Sequence, residues 1–226
     1  MGTHWFDGIF IITPLSQAIA FLIETSSWLV RAQSSPSDLG LYVGRSNIYL
    51  YSARLFTLIF TASLAFAVET GYPISGIFTA IHLTFLVAAV LHAILLFEGV
   101  RMRMMSLISG ALLLPKRGQV GSPVRVHDFK SRLFFMTLFT SVIFSLSLTA
   151  PILGAILVPA FRLSISYIGQ VINFFGTIVV LFFVDQILFR AIDHREVNDV
   201  IMSYVTGRLV GFFLIGILFL CIEQSL

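Results

Sequence analysis

Charge is what this sequence has least of. Only 11% of its 226 residues are Asp, Glu, Lys or Arg, against ~25% in a typical soluble domain. With 58% hydrophobic residues and a mean hydropathy of +0.97, that scarcity excludes a soluble globular domain and indicates an integral membrane protein. Cysteine is nearly absent as well. A single residue, Cys221, excludes an internal disulfide and a cysteine metal site; it reads as a small apolar residue near a helix end. There is no G-x-x-x-x-G-K for an ATP motor. There is no H-E-x-x-H and no G-x-S-x-G, so no recognisable intramembrane protease or hydrolase. Neither an enzyme, nor a cofactor, nor a nucleic-acid partner is expected. The start "MGTHWFDGIF" lacks the basic n-region of a cleavable signal peptide, and its sixth residue is not Ser or Thr as myristoylation requires, so neither is expected.

Long apolar runs are what the chain does have. A crossing helix needs ~20 mostly apolar residues. Six windows qualify, at roughly 8–30, 48–68, 75–97, 133–158, 163–185 and 200–222. They are continuous rather than alternating, which predicts helices and not a β-barrel. The expected fold is therefore an all-α integral membrane protein, a bundle of six transmembrane helices forming one domain over 1–226. A seventh run, "MMSLISGALLLP" at 104–115, is too short to cross. It reads as an interfacial or re-entrant segment between helices three and four, ended by Pro115. No internal repeat is visible, so an inverted-repeat transporter is not supported.

The basic residues set the orientation. Eleven of the 14 Lys and Arg fall in loops 31–47, 98–132 and 186–199, which share one side if there are six spans. The opposite side holds Arg162 alone. Positive-inside bias then places the basic loops in the cytoplasm and both termini outside. The central loop "LPKRGQVGSPVRVHDFKSR" either binds anionic membrane lipids or serves only as a topology determinant.

Two arginines remain, and both lie inside spans. Placing a guanidinium in hydrocarbon costs ~2.5–3.5 kcal/mol even on lenient insertion scales. By helix rise Arg54 lies roughly 9 Å from the basic end, Glu24 about as deep, and Arg208 roughly 12 Å. Asp185 closes span five on the same side. Two arginines and two carboxylates from four helices thus fall in one layer. Polar residues also fall into stripes. Thr13, Gln17, Glu24 and Arg31 share a face of span one, and Arg54, Thr57 and Thr61 a face of span two. Thr137, Ser141 and Ser145 line up on span four, and Ser166, Gln170, Asn173 and Thr177 on span five. Tyr204, Arg208 and Gly211 do so on span six. Stripes must face protein or water rather than lipid.

Two readings of the layer stand. In one, Glu24 pairs with Arg54 and Asp185 with Arg208 as ionic staples, and the hydroxyls join helices. In the other, the layer lines a water-filled cavity open to the cytoplasm. Ionisable residues within spans favour the second. The chain has twelve Arg and two Lys, and the Arg fork grips phosphate or carboxylate with two hydrogen bonds. An anionic ligand, phosphate-bearing for preference, follows. Gly207 and Gly211 form a GxxxG that predicts close helix packing. Pro14, Pro151 and Pro159 are candidate kinks. His82 and His92 share no face and have no second metal ligand nearby; each is a core histidine or a proton-coupling group.

Four segments resemble the Amj family of lipid II flippases. "FLIETSSWLVRAQ" is similar to that family's first span and "YSARLFTLIF" to its second. "FRLSISYIGQVINFFGTIVVLFFVD" is similar to the fifth and "GRLVGFFLIG" to the sixth. Spans three and four match in hydropathy only, and Gln186 stands where the family has Pro. The resemblance puts Glu24, Thr25, Arg31, Arg54, Arg162, Asn173, Thr177, Asp185 and Arg208 at motif positions. It implies a multi-pass protein of the bacterial plasma membrane. Its activity would be moving an undecaprenyl-pyrophosphate-linked peptidoglycan precursor from the inner to the outer leaflet, without ATP. On that basis the candidate substrate-binding set is Arg54, Arg208, Glu24, Arg31, Gln170, Asn173, Asp185 and Arg162. The competing binding-module reading is a small six-helix substrate-capture subunit of a vitamin transporter of the ECF type. A purely structural or assembly role is the third.

Overall fold

The computed structural model describes residues 3–35, 37–115, 131–194 and 197–225. Among them there is helix and no strand. The chain runs through α1 (Thr3–Arg31), α2 (Leu39–Glu69), α3 (Ile74–Leu95), α4 (Glu98–Ala111) and α5 (Arg132–Leu157). A short 3-10 turn at Pro159–Phe161 leads into α6 (Arg162–Val179). One π-helical stretch, Val180–Val184, joins α6 to α7 (Asp185–His194), and α8 (Val197–Gln224) follows. α6, the π-stretch and α7 form one continuous rod. Among the described residues, five helical spans are long and apolar enough to cross a membrane: those on α2, α3, α5, the α6–α7 rod and α8. The expected window 8–30 lies on α1, which is 29 residues long and carries Pro14.

Packing follows the small and apolar faces. α3 and α8 form the centre, where Phe85, Phe212 and Phe219 are fully buried with Phe21 and Phe60. α1 packs on α2 and α3, and α5 lies between α6 and α8. The GxxxG expectation holds and acquires a partner. A Cβ on Gly207 would meet the Phe134 carbonyl at 2.7 Å, and one on Gly211 the Leu138 carbonyl at 3.0 Å. α8 therefore lies directly on the α5 backbone, a fit only glycine permits.

The 104–115 segment is longer than expected and starts earlier. It is α4, whose charged first turns hydropathy passes over. Its stop is also not Pro115. Leu113 takes a left-handed φ of 53°, and the Leu114 amide bonds the Ser109 carbonyl at 2.9 Å, a Schellman-type end. Arg45 of α2 caps that end by donating to the carbonyls of Leu112, at 2.9 Å, and Leu113. Tyr42 donates to the Pro115 carbonyl at 3.0 Å. Buried Arg101 reaches the Leu95 carbonyl at 3.2 Å and the Met202 sulfur at 3.3 Å. α4 is thus fastened across one end of the bundle. Residues from all three basic loops, among them Leu39, Met102 and Phe189, share one apolar cluster here. The lipid-binding expectation for the central loop falls mainly on 116–130, outside the described residues.

Candidate functional site

A cavity of about 590 Å³ opens among α1, α2, α5, the α6 rod and α8. Gln17, Phe21, Glu24, Ser27 and Trp28 line it from α1. Leu50, Ala53, Arg54 and Thr57 do so from α2, and Tyr204 and Arg208 from α8. α5 adds Thr140, Ser141 and Ser147 around Phe144. α6 adds Ser166, Gln170, Asn173 and Thr177. Of the eight candidate residues, five line this one space: Glu24, Arg54, Gln170, Asn173 and Arg208.

Arg208 is its anchored cation. Nη2 donates to Glu24 Oε2 at 2.7 Å, and Nη1 donates to the Tyr204 hydroxyl at 3.0 Å. The guanidinium lies over Phe212 at 5.3 Å and Phe21 at 5.7 Å. Rings this close to a desolvated guanidinium hold it electrostatically. Its Nε is buried with no hydrogen-bond partner among the described residues, and so is Gln17 Oε1. One buried donor and one buried acceptor thus border the cavity unsatisfied, and such groups are costly unless a ligand or water meets them.

Arg54 is the cavity's other cation, and it is exposed. The expected Glu24–Arg54 pair does not form, because Glu24 is taken by Arg208. The cause is helical phase. Ala53, Phe60, Leu64 and Ala67 are the buried face of α2, and Arg54 is one position, about 100° at 3.6 residues per turn, away from it. Arg54 instead sits 5.0 Å from the Tyr51 ring centroid. Among the described residues no carboxylate pairs with it.

The expected Asp185–Arg208 pair is absent too. Asp185 begins α7 and does not line the cavity. Its Oδ1 is buried and finds no hydrogen bond among the described residues, and the charge of Arg31 acts on it without a direct bond. Arg31 itself joins α1 to α2. Its Nε donates to Ser46 Oγ and its Nη2 to Asn47 Oδ1, both at 2.7 Å, and it lies 4.5 Å over Trp28. Arg162 is exposed at the start of α6 and outside the cavity.

The α5 stripe faces protein, as expected, and divides between the packed interior and the cavity, which Ser141 lines. Thr137 and Ser145 are fully buried, their hydroxyls donating to the carbonyls four residues back, at 2.9 and 2.7 Å. They serve the packed interior, where Gly207 meets Thr137. α5 meets the cavity through Thr140, Ser141, Phe144, Ser147, Leu148 and Pro151, so the expected stripe contributes Ser141 and its neighbouring face the rest. The histidines lie elsewhere. His92 Nδ1 bonds the Ala88 carbonyl at 2.7 Å, so its Nε2 is assigned as acceptor of the Thr25 hydroxyl at 2.8 Å. His82 is 2.6 Å from Glu223, which also accepts from Thr79.

None of the family models, curated proteins or solved structures searched matches the chain.

Proposed function

We propose that the protein is a flippase for a phosphate-bearing, lipid-linked precursor, held by Arg54 and Arg208 in this cavity. The observation that carries this is the unequal pair of guanidinium groups facing one space. Arg208 is buried and already paired with Glu24, whereas Arg54 is exposed and has no carboxylate partner among the described residues. An unpaired arginine facing a cavity of a membrane bundle suits a phosphate by charge and by fork geometry. Gln170 and Asn173 offer amides to a sugar or peptide. The resemblance of four spans to the Amj flippases specifies the substrate as undecaprenyl-pyrophosphate-linked peptidoglycan precursor, and the membrane as the bacterial plasma membrane.

In this proposal α1 crosses as well, making six spans, α4 lies in the interface, the basic end is cytoplasmic and both termini are outside. Loading then occurs where the precursor is made. Moving negative charge outward across an inside-negative membrane is favourable by ~2.3 kcal/mol per charge per 100 mV, so no ATP is needed.

A second reading has one observation in its favour: about 590 Å³ is also the size of a pocket for a vitamin-sized molecule. Reconstitution separates the two. Purified protein in proteoliposomes moves the lipid-linked precursor between leaflets if it is a flippase. A vitamin-capture subunit instead co-purifies with an ATPase pair and a tightly held vitamin, and moves no lipid.

A further inference from the structure

We infer that the cavity is the floor of a groove open sideways to the bilayer between α2 and α6. A polyprenyl phosphate lipid would travel along it, its head group inside and its hydrocarbon chain left among the membrane lipids. This rests on the transport function proposed above and names the route.

Packing gives the opening. α2 and α6 line the cavity from two sides without forming a packed interface, α2 being held by α1 and α6 by α5. Chemistry marks the same side. Ser166, Gln170, Asn173 and Thr177 line the cavity and are all exposed. Polar side chains on the open side of an apolar helix are not solvated by lipid tails. Water and polar head groups are what they meet.

Length makes it a route rather than a pocket. The lining on the rod runs from Ser166 to Val184, which is about 27 Å at 1.5 Å per residue, against a hydrocarbon core of ~30 Å. The two unsatisfied buried atoms are also spread along it. Gln17 lies two helical turns from Glu24, the partner of Arg208. Size points the same way. A space of about 590 Å³ suits a drug-sized ligand, enough for phosphate and a sugar ring. A larger head group must extend out through the lateral opening.

Photocrosslinking tests the occupant. p-Benzoylphenylalanine is placed at Leu181, which lines the groove and is 55% exposed, or at Phe213 on α8, which is 49% exposed and does not. Each variant is put in phosphatidylcholine nanodiscs containing a polyprenyl phosphate. At least fivefold more lipid adduct is expected at Leu181 than at Phe213; equal labelling overturns the groove. A second variant, Ser166→Trp, obstructs the track at its far end from the arginines. It is expected to bind inorganic pyrophosphate within twofold of wild type while transport falls at least tenfold. Wild-type transport by this variant contradicts the route. Loss of pyrophosphate binding by the folded variant does so too, because it makes the space one closed pocket. If wild-type protein moves no lipid at all, the transport function fails, and the Leu181 adduct still decides whether lipid enters the groove.

Discussion

Arg208 Nη2 donates to Glu24 Oε2 at 2.7 Å, tying the last helix to the first beside a cavity in which Arg54 has no carboxylate partner among the described residues. The two arginines therefore differ in role. Arg54 is available to an incoming anion, and Arg208 becomes available only when Glu24 yields.

Replacing Arg54 tests the first role. Arg54→Ala is expected to fold normally, since the side chain is exposed, and to lose at least tenfold in transport. Arg54→Lys keeps charge without the fork and is expected to retain part of the rate. Proteoliposome transport alongside thermal unfolding measures both.

Glu24→Gln tests the second. It removes the internal competitor of the anion while leaving a hydrogen-bonding group of the same shape. Affinity for inorganic pyrophosphate is expected to rise several-fold and turnover to fall, because release slows. Calorimetric titration and a transport assay on the same variant check the split. Weaker binding together with slower turnover would mean that Glu24 itself contacts the ligand.

Arg208→Ala should cost stability as well as transport. Removing one partner of a fully buried ion pair costs ~3–5 kcal/mol. The Glu24 side chain is 36% exposed, so water reaches the orphaned carboxylate and about 1–2 kcal/mol is expected instead. The double variant Glu24→Gln/Arg208→Met is expected to recover the unfolding midpoint and not the transport. Recovery of both would reduce the pair to a staple.

The α5–α8 contact offers a purely structural comparison. A side chain at position 207 or 211 must displace the α5 backbone. Overpacking costs typically ~1–3 kcal/mol, and here backbone rather than a pliant side chain is in the way. Gly207→Leu is expected to lower the unfolding midpoint and expression. Gly99→Leu, where nothing lies within 4 Å of an added Cβ, is expected to change neither.

Much of this arrangement was legible in sequence. Apolar runs located five helices long and apolar enough to cross a membrane, and helix rise brought Glu24 level with Arg208, with which it pairs. Pairing was not legible. Depth does not say which helices are neighbours, nor which side of a helix a residue takes, so Glu24 was matched with Arg54 rather than Arg208. On α5 the stripe Thr137, Ser141 and Ser145 faces protein as its period requires, but the period alone did not show that Thr140 and Ser147 line the cavity beside Ser141. α4 was half seen because its first turns carry charge, and the Leu113 turn that ends it has no glycine to announce it. Asp185, Arg31 and Arg162 share the candidate set with Arg54 and lie outside the cavity lining.

The most direct test is growth. The gene is expressed in bacteria depleted of their own lipid II flippases, as wild type and as Arg54→Ala, with membrane expression confirmed for each. Growth with wild type and none with Arg54→Ala is the expected result. Equal growth of both would contradict the role of Arg54, and no growth with expressed wild type would contradict the flippase function itself.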